Sequence, residues 1–72
     1  MSSGVHTVHK DGLWINEVDG EPVDGGFLRK EDAVRAGRDA AIARQAEHTV
    51  HGLDGTIGEK NSYGNDPRSS EG

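Results

Sequence analysis

Cysteine is absent from the 72 residues. That excludes a disulfide framework, a thiolate metal centre and a thiol nucleophile. Large apolar residues are scarce: there is one Trp, one Tyr and one Phe, and apolar residues make up 31% of the chain. A chain this short buries only about 60% of the surface it exposes when unfolded. A core so thin needs close packing of small residues or a face covered by a partner. No run approaches the roughly 18 to 20 apolar residues of a membrane span, so no membrane partner is expected. Met1-Ser2-Ser3-Gly4 lacks the charged and apolar regions of a signal peptide, and a cytoplasmic location is the expectation. Basic charge is short as well. Eight Lys and Arg against 13 Asp and Glu leave a net charge of −5. Nucleic-acid-binding proteins carry a basic footprint, so the overall acidity disfavours that partner while leaving room for a local basic face.

What is present is a repeated word. His6-Thr7-Val8-His9 recurs as His48-Thr49-Val50-His51, and these two words hold all 4 histidines. Each is followed by an Asp-Gly turn signal, Asp11-Gly12 and Asp54-Gly55, and then by apolar residues, Leu13-Trp14-Ile15 and Ile57. Between them lies one helical segment. The pattern reads as hairpin, helix, hairpin.

In chain order, Val5 to His9 and Leu13 to Val18 read as strands joined at Lys10-Asp11-Gly12. Trp14, Asn16 and Val18 share one face of the second, and Trp14 with Val18 is assigned to the core. Asp19-Gly20-Glu21-Pro22 is a turn signal, and Phe27-Leu28 is the candidate third strand. Lys30 to Ala46 reads as the helix, with Glu31 and Asp32 in its first turn and Arg44 in its last, as the helix dipole favours. Arg29 is a poor N-cap. At about 100° per residue, Ala33, Val34, Ala36, Gly37, Ala40 and Ala41 form one small-residue face that can approach a sheet closely. Arg35, Arg38, Asp39, Ile42 and Gln45 lie on the other side. Glu47 to Gly52 and Thr56 to Lys60 read as the last strands. Tyr63 is expected to dock back on the domain. The expected division is a leader at 1–4, one domain at 5–64 and a tail at 65–72.

Several stretches together resemble a known family. They are Trp14 after the Lys-Asp-Gly turn, Glu31-Asp32-Ala33-Val34, Val50-His51-Gly52, Asp54-Gly55-Thr56-Ile57 and Ser62-Tyr63-Gly64-Asn65-Asp66-Pro67. Over residues 5 to 67 the chain resembles the small bacterial domain-of-unknown-function family 2188 (DUF2188). The run from His51 to Pro67 is the most specific part. Arg29 departs from the capping Thr the family tends to place there, and Asp24-Gly25-Gly26 is looser than a typical strand. The resemblance implies a small α and β domain and carries no activity with it.

The expected fold is α+β, in ββ(β)αββ order. A small antiparallel sheet of four to five short strands is packed on one face by a single helix. The expected core is Val8, Trp14, Val18, Phe27, Ala33, Val34, Gly37, Ala40, Ala41, Val50 and Ile57, with Tyr63 at its margin.

Candidate chemistry is sparse. Spacing of three on a strand sends His6 and His9 to opposite faces, and likewise His48 and His51. If the two words occupy neighbouring strands, His6 with His48, or His9 with His51, can converge beside Asp11 or Asp54 to bind zinc. The plainer reading is histidine on half-exposed strands, with no metal and no cofactor. There is no Gly-x-Ser-x-Gly elbow or phosphate loop, and little room for a pocket of about 300 Å³ or more, so the chain is not expected to be an enzyme. Arg35 and Arg38, three apart on the helix, are the candidate nucleic-acid contacts, diluted by Asp32 and Asp39. Ile15, Ile42 and Leu53 are apolar where exposure is expected, and are the candidate interface. The leading expectation is a non-enzymatic protein-interaction module that self-associates or docks on another protein. Nucleic-acid binding and metal binding by paired histidines are the alternatives.

Overall fold

Two Asp-Gly dipeptides set the first half of the chain. A computed structural model of the protein describes residues 4–63. Asp11 (φ 52°) with Gly12 (φ 82°), and Asp19 (φ 56°) with Gly20 (φ 82°), both take left-handed backbone angles. That is the type I′ geometry whose twist matches two-residue hairpins. The first turn joins β1 (Val5–Lys10) to β2 (Leu13–Val18), and the second joins β2 to a two-residue β3 (Glu21–Pro22). The expected third strand at Phe27-Leu28 is instead a single bridge. Phe27 exchanges two backbone hydrogen bonds of 2.7 Å with Trp14. The third strand sits earlier because Asp19-Gly20 is itself the tight turn.

The helix α1 (Lys30–Arg44) follows, then β4 (Glu47–His51) and β5 (Ile57–Ser62). Arg29 provides no side-chain cap, as expected. The helix stops two residues before the expected Ala46. Gln45 takes left-handed angles, its N–H bonds Ile42 O at 3.1 Å, and Ala46 N–H bonds Ala41 O at 2.9 Å. These two bonds satisfy carbonyls that helix ends leave open.

The five strands form one sheet in the order β3-β2-β1-β4-β5. The α+β class, the single helix and the ββ(β)αββ order are as expected. The sheet is mixed, however, not wholly antiparallel. The two hairpins meet through β1 and β4, which run parallel, with Val5 opposite His48, His6 opposite Thr49 and Thr7 opposite Val50. The repeated words are therefore neighbours, but out of step by one residue. A slip of one residue reverses the face of every side chain. So His48 shares a face with Val5 and Thr7, whereas His6 shares the other with Thr49.

The helix lies over β1, β2 and β4, short of both edge strands. Ala33, Gly37 and Ala41, four apart, form the ridge it buries. The buried apolar residues are Val5, Trp14, Ala33, Ala41, Ala46 and Val50. Three of these are alanines, which gain far less from burial than the roughly 1.5 to 3 kcal/mol of a large apolar side chain. Several expected core residues are not fully buried, among them half-buried Phe27, Val34 and Ala40. Val8 is half-buried on the face away from the helix, Val18 is half-buried, and Ile57 is 64% exposed because β5 lies beyond the helix. β5 also starts and ends later than expected and is exposed along its whole length. Tyr63 does dock: it is half-buried and its N–H bonds Ala46 O at 3.0 Å. The expected leader lies, but for Gly4, outside the described residues, as does the expected tail at 65–72.

Gly37 is the point of closest approach. An ideal Cβ there would stand 2.6 Å from His48 Nε2 and 2.8 Å from Thr7 Oγ1, and nearer still to Asn16 Oδ1. Glycine to alanine in an exposed helix interior stabilises by about 1 kcal/mol. Here the sign reverses. Gly37→Ala is expected to destabilise by about 1 to 3 kcal/mol through overpacking. Urea denaturation of the two proteins checks this, and a stabilised variant would contradict it.

Candidate functional site

The two faces of the sheet hold different chemistry, and on each face histidine is the centre. Beneath Gly37, three polar side chains are buried together: Thr7, Asn16 and His48, each at most 1% exposed. Hydrogen-bond valence fixes their roles. Asn16 Nδ2 donates to Asp24 Oδ2 at 2.7 Å and to Ala33 O at 3.0 Å, both of which can only accept. Asn16 Oδ1 must then face Thr7, whose hydroxyl donates to it at 2.5 Å. Thr7 has one hydrogen, so at its other contact, 2.8 Å from His48 Nε2, it accepts. The ring is the Nε2–H tautomer. The result is one directional chain: His48 to Thr7, Thr7 to Asn16, and Asn16 to the loop carboxylate of Asp24 and the helix carbonyl of Ala33. Asp24 also accepts from Gly26 N at 3.2 Å, which closes the loop over β2. Among the described residues no buried polar side-chain atom lacks a partner.

Burial holds the His48 imidazole below its ordinary pKa of 6.5. Glu59 opposes the shift, while His6 and Arg38 add to it. Sequence reading missed this cluster. The available signal was Asn16, a polar residue between Trp14 and Val18 on the face assigned to the core.

On the open face, His6 Nδ1 meets His51 Nε2 at 3.0 Å, with ring centroids 5.3 Å apart and ring planes 30° apart. This overturns the expected pairings. His6 does not meet His48, which the one-residue offset turns under the helix. His9 does not meet His51, because it stacks on Trp14 with centroids 4.8 Å apart. Lys30 Nζ lies 5.4 Å from the centre of the Trp14 ring. Around the histidine pair the open face carries half-buried Val8, Leu13 and Ile15. Two ion pairs border them, Lys10–Glu17 at 3.1 Å and Glu47–Lys60 at 3.4 Å. Among the described residues no group of three His, Cys, Asp or Glu side chains converges as metal ligands do. Neither candidate carboxylate joins the pair. Asp11 is in the first hairpin turn. Asp54 is bound to Thr56, whose hydroxyl (2.8 Å) and N–H (3.2 Å) hold its carboxyl below the ordinary range.

Arg35 and Arg38 do fall together. With Lys30, Glu31 and Val34 they line an open trough of about 590 Å³ along the helix. A second, of about 330 Å³, is lined by Phe27, Asp32, Arg35, Ala36 and Asp39. Both volumes exceed what chain length alone suggested, but they are surface troughs on helix flanks. Of the interface candidates, Leu53 is 74% and Ile42 49% exposed, and Ile15 is half-buried. No helix among the described residues is long and apolar enough to cross a membrane.

A family model, described as an uncharacterized protein conserved in bacteria (DUF2188), matches residues 5–63. The chain belongs to this family. No curated protein and no solved structure matches it. The match to the DUF2188 model takes in both histidine words, the helix and both hairpins. Both constellations therefore lie within the DUF2188 domain itself.

Two measurements check the buried chain of the DUF2188 domain. Thr7→Val keeps the shape and removes the relay, leaving Asn16 Oδ1 and His48 Nε2 without it; a loss of about 1 to 3 kcal/mol is expected in urea denaturation. The second is the pH dependence. The unfolded chain takes up the His48 proton first, because the folded pKa lies below 6.5. Stability from neutral His48 is intact above that value and drains as the pH falls through and below it. The unfolding midpoint should drop from about pH 7.5 to about pH 5.5, and drop less in His48→Gln. Parallel curves for the two proteins would contradict the assignment.

Proposed function

We propose that the protein is a non-enzymatic interaction module that self-associates through the open face of its sheet. The observation that carries this reading is the uncovered face itself. Val8, Leu13 and Ile15 lie at its centre, with no second layer over them among the described residues, and Ile57 is exposed at its margin. With a core half made of alanine, covering this face adds buried apolar surface that the core itself lacks.

Charge favours a second copy as the occupant. The chain carries −5 overall, yet the ionic groups bordering this face, Lys10, Glu17, Glu47 and Lys60, sum to zero. Two copies meet there with less repulsion than elsewhere. Strand spacing and rise give a face of about 20 by 20 Å. Two such faces bury on the order of 1,000 Å² with their side chains, the threshold for a specific interface. The trough with Lys30, Arg35 and Arg38 supports nucleic-acid binding less well, since Glu31 lines it and Asp32 and Asp39 flank it.

Sedimentation equilibrium in the presence of a chelator tests the reading. A dimer is expected at micromolar concentration. Ile57→Glu should weaken it at least tenfold with an unchanged far-ultraviolet dichroism spectrum. Ile42→Glu, on the exposed helix flank, should leave it as it is. A strict monomer at high concentration, or a dimer lost through Ile42→Glu and kept through Ile57→Glu, would contradict it.

A further inference from the structure

The geometry points to His6 and His51 as half of a divalent transition-metal site, completed by the same pair from a second copy of the chain. The inference rests on the self-association proposed above and names the chemistry at its centre.

Spacing is the first argument. Zinc holds imidazole nitrogens at about 2.0 to 2.1 Å in a tetrahedron, which places two of them about 3.3 Å apart. His6 Nδ1 and His51 Nε2 are already 3.0 Å apart. A few tenths of an ångström, within reach of small side-chain rotations, separates the hydrogen-bonded pair from a chelating one. The two rings come from parallel neighbouring strands, β1 and β4, so the sheet and not a flexible loop sets their separation.

The tautomers are compatible. In the hydrogen bond one ring donates and the other accepts. For both nitrogens to face a cation, the donating ring shifts its hydrogen to its other nitrogen. The exchange moves one hydrogen within a single ring and leaves a lone pair on each of the facing nitrogens. Two imidazoles with no thiolate suit zinc, copper(II) or nickel(II).

The third argument is incompleteness. Two nitrogens fill half a tetrahedron. Glu17, the cross-strand neighbour of His6, is turned onto Lys10. Asp54 is held by Thr56, and among the described residues no third ligand converges. The described residues of one chain supply two ligands and leave two positions for a partner to fill. β1 is the middle strand of the five, so the pair sits near the centre of the charge-balanced face. A two-fold axis beside it brings two further imidazole nitrogens from the second copy, giving four.

The test uses the full chain stripped with a chelator and then titrated with zinc chloride, followed by calorimetry and sedimentation velocity. One zinc per two chains is expected, with the dimer at least tenfold tighter. His6→Asn and His51→Gln, whose unfolding transitions are checked first, should each abolish the zinc response. His9→Gln, on the helix side of the sheet, should retain it. A dimer that forms without metal and ignores zinc would overturn the half-site and leave self-association standing. A monomer with and without zinc would overturn both. One zinc per chain with no change in association, or a response that survives both His6→Asn and His51→Gln, would overturn the shared site.

Discussion

A single threonine hydroxyl governs this fold. Thr7 accepts from His48 and donates to Asn16, and Asn16 in turn holds a helix carbonyl and the Asp24 loop. Through that one group, β1, β2, β4, the helix and the loop before it are joined. Buried polar groups without partners cost about 1 to 3 kcal/mol each, so such a cluster is stable only when every member is satisfied. Satisfying it requires the helix backbone to come close, and only a residue with no side chain fits at position 37. The small-residue ridge of the helix and the polar cluster of the sheet are therefore two sides of one contact.

The same arrangement divides the protein into two surfaces. His-Thr-Val-His is written twice, but the parallel pairing sets the copies one residue apart. Thr7 and His48 become core, while His6 and Thr49 turn to the other face. Identical letters thus do unlike work. One histidine is buried, neutral and structural, and two others meet in the open with their ring nitrogens facing. The helix covers only three of the five strands and one side of them. Among the described residues nothing lies over the apolar residues on the remaining side, and the proposed self-association rests on that.

Much of the architecture was legible in the residues. The Asp-Gly pairs marked hairpin turns because left-handed backbone angles favour them, and Ala33, Gly37 and Ala41 marked the buried ridge by their spacing. What lay against that ridge was not legible. Trp14 and Phe27 belong to the expected core, yet the atoms beneath Gly37 are polar. Strand alternation gives the face of each residue within a strand but not the offset between strands. Without that offset, the convergence of His6 with His51 could not be told from the expected alternatives. The parallel join of β1 and β4 was hidden for the same reason. It depends on how the helix returns the chain across the sheet, and no local pattern encodes it. Val8 lies outside the core because it points to the face of β1 away from the helix, and Ile57 because β5 lies beyond the helix's reach.

The most direct measurement is the protonation pattern of the His48 ring, read by nitrogen-15 correlation spectroscopy at neutral pH. The hydrogen-bond chain requires a hydrogen on Nε2, since Thr7 can only accept from it, and burial favours the neutral ring, with Nδ1 bare. A hydrogen on Nδ1 alone would contradict the chain and with it the account of how helix and sheet are joined.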